Sequence, residues 1–167
     1  LSAKGNSELF KSLAVPGWGE LEMGNDSRAK TFITSEILIL TSYVLSSKLG
    51  DIYIDRYTAF GNMHANIDIS NKDYEFIVNM SNYDSMIEYN EDMMRYHNSN
   101  YFNDIYENNE GNNWQWDSSQ NRKKFNDMRI NSEIAKKFSE FAVAGLIINR
   151  IASVIDIVYL KKNNSNI

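Results

Sequence analysis

The chain has no cysteine, which excludes disulfides and thiolate metal sites. It has one proline, Pro16, in 167 residues, so long stretches are free to stay helical. Histidine is scarce as well. His64 and His97 are far apart, and Met93 and Met94 occupy the places four and three before His97, where a helical metal site would put a carboxylate. No metal site is expected. Basic residues are outnumbered, 17 Lys and Arg against 22 Asp and Glu, and the net charge of -5 excludes the basic footprint of a nucleic-acid binder. Gly17-x-Gly19 lacks the third glycine and the preceding strand of a dinucleotide loop. The acidic turn Asp104–Gly111 would place Tyr106 at the first ligand position of a calcium loop, so it is not one. No nucleophile and base stand at a telling spacing. The chain is read as non-enzymatic, with no cofactor.

Two apolar segments are present, near the two ends. Thr31–Gly50 and Phe138–Leu160 each come close to the ~20 residues a membrane-spanning helix needs. Both carry charge: Glu36 in the first, Arg150 and Asp156 in the second. At a bilayer centre each such charge costs roughly 2.5–3.5 kcal/mol on insertion scales, so partners are required. A Glu36–Arg150 pair across a hairpin would offset much of that cost. Asn149, Ser153 and Asp156 fall on one helical face, turned to the first helix or to a partner subunit. Thr34, Ser35, Thr41, Ser42 and Ser46 supply small polar contact points of the kind used between membrane helices. A mean hydropathy of -0.47 is low for many spans and fits two spans with a large polar insert.

The length points to a single domain, 1–167. Residues 7–24 read as an amphipathic stretch and a glycine-punctuated turn, Pro16-Gly17-Trp18-Gly19, expected to be a structural re-entry turn with Trp18 at a membrane interface. Residues 28–50 read as the first apolar helix. Residues 51–118 read as a polar, aromatic insert with short helices over Asn71–Met80 and Tyr83–His97 and an irregular stretch over Asn98–Asn113. Residues 119–162 read as one long helix, charged from Arg122 to Lys137 and apolar beyond, the charged run being a solvated or headgroup-facing surface. Trp114 and Trp116 read as core or interface packing, which makes them candidate aromatic anchors, with a sugar-stacking surface as the other use of such rings. The fold class is all-α.

Leu13-Ala14-Val15-Pro16-Gly17-Trp18-Gly19-Glu20, with Met23-Gly24 after it, resembles the Leu-Pro-Gly-x-Gly-Gln-x-Tyr-x-Gly opening of a Bacteroidetes-type family of uncharacterised bacterial membrane proteins. Asn149-Arg150-Ile151-Ala152-Ser153-Val154-Ile155-Asp156 is similar to that family's Asn-His-x-x-Ser-x-x-Asp close, and Trp114–Ser118 with Arg122 and Arg129 to one of its subfamilies. The glycine turn and a late Ile-Asp are also shared with two-transmembrane-domain proteins. Glu20 stands where Gln is usual, Glu22-Met23 where Tyr-Asn is usual, and Arg150 where His is usual. The resemblance implies a membrane or cell-envelope location and no known reaction.

The expectation is therefore a bacterial membrane protein, an accessory subunit contacting lipid and other membrane subunits through Glu36, Asn149, Arg150, Ser153 and Asp156. The alternative is a soluble all-α binding module that uses the Trp114/Trp116 region. An enzyme joining Glu36, Arg150 and Asp156 in a pocket comes third.

Overall fold

A computed structural model describes residues 7–96 and 105–164. The fold is all-α: α1 Ser7–Ala14, α2 Trp18–Glu22, α3 Asp26–His64, α4 Tyr74–Asn82, α5 Met86–Tyr96 and α6 Ser119–Asn164. Among the described residues there is no strand, only an isolated antiparallel bridge between Ser85 and Gln115. His97 and Asp104, considered above, lie outside the described residues.

The residues gather into two compact units, where length alone pointed to one domain. Of the described residues, the first unit takes 7–48 and 135–164; the second is Leu49–Ile134.

In the first unit the opening stretch of α3 runs antiparallel to the closing stretch of α6. Arg28 meets Asp156, Glu36 meets Arg150, and Gly145 lies against Ile39. The hydroxyls of Thr41, Ser42 and Ser46 donate to carbonyls four residues back, at 2.8, 2.9 and 2.6 Å. They close on their own helix and leave no donor for a neighbour, so any contact they make with another helix rests on small size or on the oxygen as acceptor. The expected glycine loop contains a short helix, α2. Gly17 enters it in the left-handed region at φ 94°, and Gly19 sits inside it because the chain there passes too close for a side chain. A Cβ on Gly19 would stand 2.5 Å from the Glu8 carbonyl oxygen and 2.8 Å from Ile157 Cδ1.

The second unit has an ordinary apolar core of Ile67, Ile69, Phe76, Met80, Trp114 and Phe125 with their neighbours. Asp73 caps α4 by accepting from Phe76 N at 2.8 Å. The helix starts three residues later than expected because Asp73 serves as its cap. At the other end of α4, Arg122 donates to the Ser81 and Asn82 carbonyls (3.2 and 3.0 Å) and to Asp84 Oδ1 at 2.5 Å. These are the orphan carbonyls of a helix C-terminus, and a guanidinium suits them in both geometry and sign. α5 begins at Met86, since Ser85 is held in the bridge to Gln115.

Candidate functional site

The first unit is built with its polarity reversed. Its outward side chains include Phe10, Ile37, Leu38, Leu45, Phe138, Phe141, Ile148 and Ile155, with Phe141 72% exposed. Its buried groups include Ser12, Glu20, Glu36, Asn149 and Ser153. Of the most apolar 18-residue stretch in α3 only 6% is buried within the chain, and in α6 only 17%. Both helices are long and apolar enough to cross a membrane. A core helix of a water-soluble protein would bury such a stretch, and these are left uncovered by their own fold.

The buried polar groups form three connected levels. At the first, Glu20 is fully buried and its two carboxylate oxygens accept from Ser12 Oγ at 2.8 Å and Ser153 Oγ at 2.7 Å. Each serine oxygen in turn accepts a backbone N–H from the turn: Gly19 N to Ser12 Oγ at 2.8 Å, and Gly17 N to Ser153 Oγ at 3.1 Å. The two arms meet at one carboxylate and tie α1, α2 and α6 together. Each hydroxyl both donates and accepts, so no donor in the loop is left over.

At the second level, Asn149 Nδ2 donates to Glu36 Oε2 at 2.9 Å and to the Phe32 carbonyl at 3.1 Å. Arg150 Nη2 lies 2.6 Å from Glu36 Oε1 as an ion pair, not an aligned hydrogen bond, and Arg150 Nη1 donates to the Leu146 carbonyl at 3.2 Å. At the third level Arg28 pairs with Asp156 Oδ1 and stands 5.7 Å from the centre of the Tyr159 ring. Asp156 Oδ2 is buried with no hydrogen-bond partner among the described residues.

Glu36, Asn149 and Arg150 thus meet one another, while Ser153 joins Glu20 and Asp156 joins Arg28. Asn149, Ser153 and Asp156 share a face of α6, and within the chain that face meets α3 and the turn, the first of the two placements expected for it. Pro16, Gly17 and Gly19 are buried in the turn, while Trp18 is exposed, with Lys11 Nζ 5.9 Å from its ring centre. Glu20 and Ser12 were not singled out by their sequence context. Their partner Ser153 is 133 residues from Glu20, and no local pattern records that pairing.

Trp114 and Trp116 are neither interface anchors nor a ligand surface. They are 0% and 6% exposed, and their indole N–H groups donate to the carbonyls of Tyr83 (3.3 Å) and Met80 (2.8 Å). Buried indoles need such partners. Around them Phe76, Tyr89 and Tyr106 pack ring to ring at 5.1–6.1 Å from Trp114. The charged run is also more than a solvated surface. Arg129 is buried, bonds Asn126 Oδ1 at 2.7 Å and pairs with Glu133, to which the Tyr74 hydroxyl donates at 2.6 Å.

One polar cluster lies in the second unit. Asn121 Nδ2 donates to Asp117 Oδ1 at 2.8 Å, leaving His64 Nδ1 to donate to Asp117 Oδ2 at 2.6 Å. The His64 bond holds the Asp117 carboxyl below its ordinary range, with Asn121 adding to it. No nucleophile is placed against His64 by these bonds, and Asp117 N donates to the His64 carbonyl at 2.9 Å, which marks the cluster as the clasp between the end of α3 and the approach to α6. Among the described residues no three His, Asp or Glu side chains are grouped to hold a metal ion. Compared with known proteins, the chain matches no family model, no curated protein and no solved structure.

Proposed function

We propose that this chain is a non-enzymatic membrane protein in which α3 and α6 cross the bilayer as an antiparallel pair. In this reading Leu49–Ile134 is a folded module in water and the whole serves as an accessory subunit of a larger membrane assembly. One observation carries the reading: the first unit exposes Ile37, Leu38, Phe138 and Phe141 while burying Glu20, Glu36 and Asn149. In water that arrangement leaves apolar area exposed at about 25 cal/mol per Å² and also strips carboxylates of solvent. In hydrocarbon both terms change sign in its favour, because polar groups must then be satisfied inside the protein.

Two crossings put both chain ends on one side. Lys11, Arg28 and Lys30 before the first span, with Lys161 and Lys162 after the second, favour the cytoplasm for that side, against Lys136 and Lys137 at the far end. The bacterial envelope enters through the resemblance of the Pro16–Gly19 turn and the Asn149–Asp156 close. Most of the polar groups between α3 and α6 are engaged within the chain, Glu36 Oε1 and Asp156 Oδ2 apart, so contacts with other subunits are assigned chiefly to the apolar outer faces or to the water-side module.

Fractionation tests the reading. The full chain should stay in the membrane pellet after an alkaline carbonate wash and come out in mild detergent with fixed co-purifying proteins. Release as a soluble monomer would refute it. Detergent extraction as a lone chain would keep the membrane and remove the assembly.

A further inference from the structure

The segment ahead of α3 is reversed in the same sense as the helices beside it. From α1 through α2 the large outward side chains are Phe10, Leu13, Val15, Trp18 and Leu21, with Phe10 70% exposed, and the one exposed carboxylate, Glu22, is paired with Lys11. The inward ones are Ser12, Glu20 and the two glycines. An amphipathic helix lying on water would show the opposite pattern, with its serine and glutamate outside.

The segment also closes its own charges. Glu8 pairs with Lys161 at 3.0 Å and Lys11 with Glu22 at 2.5 Å, while Glu20 is held by its two serines. A surface that is apolar outside and has its charges paired suits hydrocarbon better than headgroup charge or a polar protein face. Its apolar side is continuous with the long helix. Leu9, Phe10, Leu13 and Val154 line one apolar hollow of about 260 Å³, so α1 and the outer face of α6 present a single surface to whatever surrounds them.

We propose that α1–α2 is a third lipid-embedded element, a re-entrant helix-turn-helix whose outer face contacts acyl chains. The proposal rests on the membrane reading of α3 and α6, and the test separates the two. The chain has no cysteine, so single-cysteine variants can be spin-labelled without background. Phe10→Cys and Leu13→Cys probe the segment, Leu38→Cys and Phe141→Cys the long helices, and Met63→Cys, exposed in the second unit, the water reference. All are reconstituted in phosphatidylcholine vesicles, and collision with oxygen is compared with collision with a water-soluble nickel chelate. Val15→Cys replaces either probe that fails to reconstitute.

Labels at Phe10 and Leu13 should favour oxygen as strongly as those at Leu38 and Phe141. If they follow Met63 while Leu38 and Phe141 stay in oxygen-rich surroundings, the proposal fails and the two spans stand. If all four follow Met63, both fail. Spin–spin broadening at Phe10 that disappears on dilution with unlabelled protein would assign the face to a second copy, and that also overturns lipid contact.

Discussion

Adding one methyl group to Gly19 puts a carbon 2.5 Å from a backbone oxygen, and a backbone oxygen cannot swing aside. Gly19→Ala should therefore destabilise the protein by about 1–3 kcal/mol, the usual range for overpacking, read as a lower thermal midpoint in detergent. Gly145→Ala is the contrast. Its new Cβ meets only Ile39 side-chain carbon at 3.4 Å, and removing a mid-helix glycine is worth roughly 0.5–1 kcal/mol, so the midpoint should rise. The Glu36–Arg150 pair gives a second residue-level expectation. Glu36→Leu strands a guanidinium and should cost about 3 kcal/mol, the low end for a buried pair because Arg150 is a third exposed. Glu36→Leu with Arg150→Leu should recover most of that loss in a chemical unfolding series; simple additivity of the two singles would show that they are not coupled. This pair was legible in sequence, because opposite charges stranded in two apolar runs have few other partners. Glu20 was not, since its importance lies in two serines that reach it from separate helices.

At the scale of elements, the two long helices and the all-α class follow from a single proline and from apolar runs of the right length. The turn was misjudged because glycine ordinarily breaks helices. Here Gly19 is needed for close approach, and a helix tolerates it at about 1 kcal/mol. For the tryptophans the sequence left core and interface packing both open, because a ring with a polar edge suits either until its N–H partner is known. The joints between elements set the acid response of the second unit. Burial pushes the Asp84 carboxyl up, but the Arg122 and Ser119 hydrogen bonds outweigh it and hold the group below its ordinary value near 3.8. Asp117 is lowered too, chiefly by its His64 bond. Carboxyls depressed in the folded state stabilise it fully above the unfolded value and lose that contribution as pH falls through the folded one. The tryptophan fluorescence of the second unit should therefore hold steady down to about pH 4 and change below it. Asp84→Asn should blunt that acid transition, and an unchanged transition would remove Asp84 from the account.

On the scale of the whole molecule, the division into two units escaped the sequence because the first unit joins two stretches from opposite ends of the chain, with the second unit, one continuous stretch, between them. What separates the units physically is the sign of their burial. The second has apolar groups inside and follows the rule for proteins in water; the first has them outside. The bonds that join α3 and the turn to α6 are long in sequence. Glu36 is 113 residues from the Asn149 amide that holds it. At ~5–20 residues per second of synthesis, that amide is made roughly 5–25 seconds after the glutamate it will bind. Through that interval, on the membrane reading, α3 carries its carboxylate without Asn149 or Arg150. On that reading, slowing elongation between Glu36 and Asn149 should lower the yield of folded protein, and an unchanged yield would show that the wait does not matter.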